Sequence, residues 1–141
     1  MAGRQDFTED EWNTLRRALT GSGMWVALSE RGFTSTFKET GAMASFMAQQ
    51  SKESSSVLLR DLAATKGTGW AVSSSPEELR QGTLAAIAES LTLLSTKAPD
   101  DVPAFKAAIT DLAQKVSEAG KGGEDVEAGV IAELNAALNA S

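Results

Sequence analysis

A cluster of carboxylates near the C-terminal end is the group of residues best suited to chemistry by type and spacing. Glu124, Asp125 and Glu127 follow the glycine turn 120–123, and Glu133 lies six residues beyond Glu127. Carboxylate oxygens bind hard divalent cations, and paired carboxylates also exchange protons with a substrate. The Asp-x-Asp-x-Asp-Gly spacing of a calcium loop is absent, so we expect a solvated acidic turn and no metal site.

The composition excludes most other chemistries. The chain of 141 residues has no cysteine, no histidine and no tyrosine. Disulfides, thiolate metal sites, cysteine nucleophiles and histidine-based triads are therefore excluded, and the commonest general base near neutral pH is missing. We expect a protein that is not an enzyme, with no catalytic residues and no cofactor.

The glycine-rich segment 67–75 contains Trp70. Such segments bind phosphate when they end in Gly-Lys-Ser/Thr or carry the dinucleotide spacing, and this segment has neither. We therefore expect no phosphate site here. Trp70 is expected to fold back as a plug over the core, with the alternative that it lines a ligand site.

Aromatic and methionine side chains are the remaining candidates for binding. Trp25, Phe46, Met47 and Trp70 are predicted to line an apolar site between helices, because such clusters form adaptable surfaces. The same side chains are equally typical of an ordinary hydrophobic core. Both interpretations predict that these residues are buried between helices.

The charge of the chain is unevenly distributed. The net charge is −6, and residues 1–70 carry eight basic and eight acidic side chains, whereas residues 71–141 carry five and eleven. No basic stripe is present, so we expect no nucleic-acid partner. No apolar run approaches the roughly 20 residues that span a bilayer, and no apolar signal segment opens the chain, so a cytoplasmic location is expected.

The segment 75–97 is predicted to be the longest amphipathic helix and the element around which the others pack. Ser75 and Glu78 form a capping box at its start, and Lys97 and Pro99 mark its end. The predicted apolar stripe comprises Leu84, Ile87, Leu91 and Leu94, widened by Leu79, Ala88 and Leu93.

The rest of the chain predicts further helices. A capping box of Thr8 and Glu11, with a Phe7–Trp12 staple, opens the first, and the glycines at 21–23 are expected to break it into two. Later helices are expected to start near residues 34, 57, 101 and 126. The last two have the apolar faces Phe105, Ile109, Leu112, Val116 and Val130, Ile131, Leu134, Leu138. No strand pattern is present, so we predict an all-α fold: one domain, 1–141, with six or seven helices around helix 75–97.

The two ends of the chain share a layout of apolar helix, glycine turn and glutamate-bearing helix. Trp12 lies 27 residues before Glu39, and Phe105 lies 28 residues before Glu133. This pseudo-repeat of two helical hairpins, together with the segment 84–119, resembles the tellurite-resistance TerB-like helical proteins. The resemblance implies a helical bundle, a divalent-cation site at the glutamate-bearing turns and a stress-related role.

The first turn departs from the pattern of that family. Residues 30–39 contain no aspartate, and they place Arg31 in the turn and Lys38 beside Glu39. The family's turns carry an Asp-Gly suited to a cation, so this chain resembles a member that has lost the metal site.

Three functions fit the sequence. The first is a non-catalytic helical protein that acts through a protein partner or through self-association. The second is a binder of a small apolar ligand in a cavity between helices. The third is a divalent-metal protein that uses Glu39, Glu124, Asp125 or Glu127.

Overall fold

The computed structural model describes residues 3–29, 33–54, 56–65, 70, 75–119 and 124–139, with the side chains of all but 27–29, 33–40, 42, 76, 119 and 124–128. Within these ranges the chain forms helices and no β-strand, which confirms the all-α prediction. The α-helices are α1 (Glu9–Ser29), α2 (Phe33–Glu53), α3 (Val57–Ala64), α4 (Pro76–Lys97), α5 (Val102–Ala119) and α6 (Glu124–Asn139). Short 3-10 helices, Arg4–Asp6 and Pro99–Asp101, precede α1 and α5.

The helix at the centre of the bundle is α1, which contacts each of the other five α-helices. Its residues 18–23 are all buried, which requires neighbours on every side of the helix. α4 packs mainly along α1, and also on α6 and α5. The expectation that residues 75–97 form the central helix is therefore wrong. That expectation was based on the large apolar residues of segment 75–97. The central position of α1 depends instead on its small residues, which let the other helices approach closely.

α1 is continuous through Gly21-Ser22-Gly23, so the predicted break is wrong. Ser22 Oγ donates to the carbonyl of Ala18 at 2.7 Å, so the serine is satisfied within the helix. The glycines serve packing: a Cβ on Gly23 would lie 3.0 Å from Met43 Sδ and 3.2 Å from Leu112 Cδ2. Glycine at these positions lets α2 and α5 contact the backbone of α1 directly.

The predicted helix starts are confirmed where the structure describes them. Glu11 N–H donates to Thr8 Oγ1 at 3.1 Å, and Thr8 N–H donates to Glu11 Oε1 at 2.9 Å. Ser75 and Glu78 form the equivalent reciprocal pair at the start of α4. The rings of Phe7 and Trp12 lie 5.9 Å apart, as a hydrophobic staple requires. Each capping box satisfies amide donors that a helix otherwise leaves unpaired.

The buried face of α4 differs in part from the predicted stripe. Leu79, Ile87, Leu91 and Leu94 are buried, and Leu84 and Leu93 are half-buried. Ala88 is exposed, so its place in the stripe is wrong. Thr83 and Ser90 are fully buried instead, because these short side chains face α1, at Gly21 and at the carbonyl of Thr14. Ala88 lies on the other side of α4.

The two predicted hairpins pack in chain order, α1 against α2 and α5 against α6. All members of the predicted α5 face are buried. α6 starts two residues earlier than predicted and buries Val130, Leu134 and Leu138, with Ile131 half-buried. The turns 30–32 and 120–123 lie outside the described residues.

Candidate functional site

The four residues predicted to bind a ligand belong to one hydrophobic core. Trp25 and Phe46 are buried members of it, and Met47 and Trp70 are half-buried against it. Trp25 lies on α1 and Phe46 and Met47 lie on α2. Trp70 is placed between α1 and α4, and its surroundings form the candidate site.

Trp70 occupies a narrow gap where α1 and α4 approach at Gly21 and Gly82, called here the glycine slot. A Cβ on Gly82 would overlap Cη2 of the indole and lie 2.7 Å from Cζ3. A Cβ on Gly21 would lie 2.8 Å from Cζ2 of the same ring. The indole therefore rests directly on the backbones of two helices, which only glycine permits.

Arg17 contacts the ring of Trp70 in two ways. Its guanidinium carbon lies 4.2 Å from the centroid of the Trp70 ring, within the range of a cation–π contact. The indole Nε1–H donates to the backbone carbonyl of Arg17 at 3.2 Å. One residue of α1 thus contacts both the face and the N–H edge of the indole.

Thr83 adds a buried hydroxyl to the glycine slot. The residue is fully buried, and its Oγ1 would overlap a Cβ placed on Gly21, next to the edge of the Trp70 ring. Among the described residues, Thr83 Oγ1 has no hydrogen-bond partner, and neither has the buried Nε of Arg17. Buried polar atoms are normally paired, so this arrangement is unusual.

Sequence reasoning identified Trp70 but missed Arg17, Gly21, Gly82 and Thr83. A signal was present, because a glycine in a helix interior costs about 1 kcal/mol relative to alanine. Gly82 lies in the middle of α4, and such a glycine indicates a close contact. The partner in that contact could not be read from the local pattern.

A second feature is a surface cleft of about 280 Å³ at the N-terminal end of α1. The Trp12 indole N–H donates to Thr65 Oγ1 at 3.0 Å, and the Arg4 guanidinium lies 5.2 Å from the Trp12 ring centroid. The lining residues are Arg4, Glu9, Asp10, Trp12, Asn13, Arg16 and Thr65. Two arginines and two carboxylates balance in charge, and none of the four predicted ligand-binding residues lines this cleft.

The third feature is the outer face of α4. Gln81, Ala85, Ala88, Thr92 and Ser95 are all exposed. They are spaced by four, three, four and three residues, so they form one stripe along the helix. None is charged, and Thr92 Oγ1 donates to the carbonyl of Ala88 at 3.2 Å, so this hydroxyl is satisfied within the helix.

Ion pairs join α4 to its neighbours. Lys97 Nζ donates to Glu11 Oε1 at 2.7 Å, linking the end of α4 to the start of α1. This bond, and the Thr8 N–H, hold the pKa of Glu11 below its ordinary value of 4.5. Arg80 donates to Glu133 Oε1 at 2.7 Å from Nη2, and this carboxylate raises the pKa of Arg80.

The predicted acidic turn is tested only in part. The side chains of Glu39, Glu124, Asp125 and Glu127 lie outside those that the structure describes. Glu133 accepts hydrogen bonds from Arg80 on α4. Among the described residues, no three acidic side chains converge as a metal ion requires.

No helix in the described part of the chain is long and apolar enough to cross a membrane. Comparison with protein-family models, curated proteins and solved structures finds no match to this chain.

Proposed function

We propose that the protein is a non-catalytic helical module that self-associates through the outer face of α4. The observation that carries this proposal is the exposed, uncharged stripe from Gln81 to Ser95. Its spacing of four and three residues is that of a helix seam that packs against another helix. Alanine at positions 85 and 88 lets two backbones approach to about 8 Å, near the lower limit for packed helices.

Charge favours this face over the exposed face of α5. The chain carries a net charge of −6, so two copies repel each other wherever acidic surfaces meet. The exposed residues of α5 include Asp111, Lys115 and Glu118, whereas the five residues of the stripe on α4 are uncharged and only Glu89 borders them next to Ala88. Contact along the stripe itself therefore avoids the cost of burying an unpaired charge, with Glu89 at its edge.

An antiparallel pairing of two α4 helices agrees with the charges at their ends. Glu77 and Glu78 lie in the first turn of α4 and Lys97 in the last. With Ala88 opposite Ala88 of a second copy, Gln81 meets Ser95, and Glu78 comes near Lys97. Unlike charges and opposed helix dipoles then lie side by side, which favours the antiparallel orientation.

The remaining parts of the proposal come from the sequence. The absence of histidine and cysteine supports a binding role over catalysis. The resemblance to TerB-like helical proteins supports a stress-related role.

Light scattering on the full chain tests self-association. The expected mass is twice the 14.8 kDa of one chain. Ala88→Arg places a charge in the middle of the seam and is expected to yield the monomer. Ala107→Arg, at an exposed alanine of α5, is the matched control and should leave the dimer intact. A wild-type chain that stays monomeric at high concentration contradicts the proposal.

Disulfide trapping tests the orientation, since the chain has no native cysteine. An antiparallel seam brings Gln81 of one copy opposite Ser95 of the other. A mixture of Gln81→Cys and Ser95→Cys chains should therefore form a mixed disulfide, which requires Cα atoms within about 7 Å. Either variant alone should crosslink poorly. Efficient crosslinking of each variant with itself would instead indicate a parallel pair.

A further inference from the structure

The glycine slot contains a polar atom that its present occupant leaves unsatisfied. Thr83 Oγ1 is buried, and a Cβ on Gly21 would overlap it and would also lie 2.8 Å from Cζ2 of the indole. This edge of the indole consists of Nε1–H, which donates to Arg17 O, and of Cζ2, a carbon that cannot accept a hydrogen bond. Within the described part of the chain this hydroxyl of Thr83 has no partner, and a buried hydroxyl without a partner costs free energy.

We infer that the glycine slot is a binding site for a bicyclic heteroaromatic ring that carries a ring-nitrogen acceptor next to its N–H donor, the chemistry of a free purine base. Purine and indole share the same fused five- and six-membered skeleton. When the purine N9–H takes the place of the indole N–H, purine N3 takes the place of Cζ2. Thr83 Oγ1 then donates to N3, while the carbonyl of Arg17 accepts from N9–H.

The other contacts of the slot suit such a ring equally well. The guanidinium of Arg17 lies 4.2 Å from the ring centroid, and a planar guanidinium stacks on any aromatic face. The backbones at Gly21 and Gly82 offer flat walls without side chains. The guanidinium, the two glycine backbones and the hydrogen-bonding groups together favour a flat bicyclic ring.

The indole of Trp70 occupies the glycine slot and therefore competes with the ligand for it. A tethered group competes at an effective concentration on the order of millimolar. The wild-type chain therefore binds the free ring more weakly than a chain without the indole, and binding moves Trp70 out of the slot. This inference does not depend on the pairing of α4 helices.

The first test uses Trp70→Ala and isothermal titration with indole and 7-azaindole. These probes differ only by a ring nitrogen at the position of Cζ2. One added hydrogen bond from Thr83 should make 7-azaindole bind about tenfold more tightly than indole. Adenine, which has the same donor–acceptor edge, is expected to bind as well.

Two second-site variants in the Trp70→Ala chain control this test. Thr83→Val should abolish the preference, so that indole and 7-azaindole bind with equal affinity. Gly82→Ala narrows the slot and should weaken the binding of all three probes. Equal affinities for indole and 7-azaindole, or a preference that survives Thr83→Val, would overturn the inference.

A second measurement uses the wild-type chain and does not depend on the folding of a variant. Nitrogen-15 spectra report the indole N–H of Trp12, Trp25 and Trp70 separately. Millimolar adenine is expected to shift the Trp70 signal and to leave the other two unchanged. A Trp70 signal that stays in place at saturating adenine overturns the inference.

Discussion

The guanidinium of Arg17 lies 4.2 Å from the ring centroid of Trp70, and the carbonyl of Arg17 accepts the indole N–H of the same tryptophan. The two residues are 53 positions apart in the chain. This double contact ties residue 70 to α1, and it depends on the room that glycine provides at positions 21 and 82. Changes in the glycine slot should therefore alter stability in ways that local helix preferences do not predict.

Gly82→Ala should destabilise the protein. A methyl group at this position would overlap the Trp70 ring, and such overpacking costs about 1–3 kcal/mol. This loss outweighs the roughly 1 kcal/mol by which alanine favours a helix. Urea denaturation followed by circular dichroism measures the difference.

Gly41→Ala is the matched control for Gly82→Ala. Gly41 lies in α2, and a Cβ there would meet none of the described atoms within 4 Å. The same substitution should therefore stabilise the protein by up to about 1 kcal/mol. Equal effects of the two substitutions would show that the slot does not constrain residue 82.

Thr83→Val should stabilise the wild-type protein. It replaces a buried hydroxyl that has no partner among the described residues with a methyl group of similar shape, which removes a penalty of about 1 kcal/mol. An increase of a few degrees in Tm is expected for a chain of this length. Thr92→Val, at an exposed position on the same helix, controls for the change in helix preference. A lower Tm for Thr83→Val would mean that the hydroxyl has a partner.

Leu91→Ala should be strongly destabilising. Leu91 is 2% exposed in the α4 face of the core, and truncating such a leucine costs about 2–5 kcal/mol. Leu93 lies on the same helix but is half-buried, so Leu93→Ala should cost clearly less. Chemical denaturation of both variants gives the comparison, and similar losses would contradict the described orientation of α4.

Glu11 should make stability depend on pH through its bond to Lys97. The pKa of Glu11 is lower in the folded protein than its ordinary value of 4.5, so the carboxylate stabilises the folded state above that value. This contribution is lost as the pH falls through the folded pKa. The Tm of Glu11→Gln should therefore lie below that of the wild type at pH 7, and the two should converge in acid.

Glu89→Gln controls for the general effect of removing one acidic charge, because Glu89 is exposed on α4. Its difference in Tm from the wild type should change less with pH than that of Glu11→Gln. A constant difference between Glu11→Gln and wild type from pH 7 to pH 3 would contradict the role of Lys97.

Local features were predictable from the sequence, and contacts between distant residues were not. The pairs Thr8–Glu11 and Ser75–Glu78 depend on a spacing of three residues, which can be read directly. Most leucines of α4 were predicted correctly as buried for the same reason. Two of the predicted leucines are only half-buried. Ala88 was misplaced because alanine is apolar enough for a core and small enough for a surface.

The glycine slot depends on information that no local pattern contains. Gly21 resembles a helix break until the ring that covers it is known. Likewise, Thr83 has an ordinary helical position in the sequence, and only the approach of α1 makes it a buried residue. The central place of α1 was missed because its small residues carry little hydrophobic signal. Only the packing of the other helices shows that they are buried.

The enclosure of α1 has a consequence for folding during synthesis. Residues 18–23 are synthesised before α4, α5 and α6, which all lie after residue 75. The growing chain cannot cover α1 until these three helices have been made. The domain therefore completes its fold only after α6 has been synthesised, and until then the apolar surface of α1 stays incompletely covered.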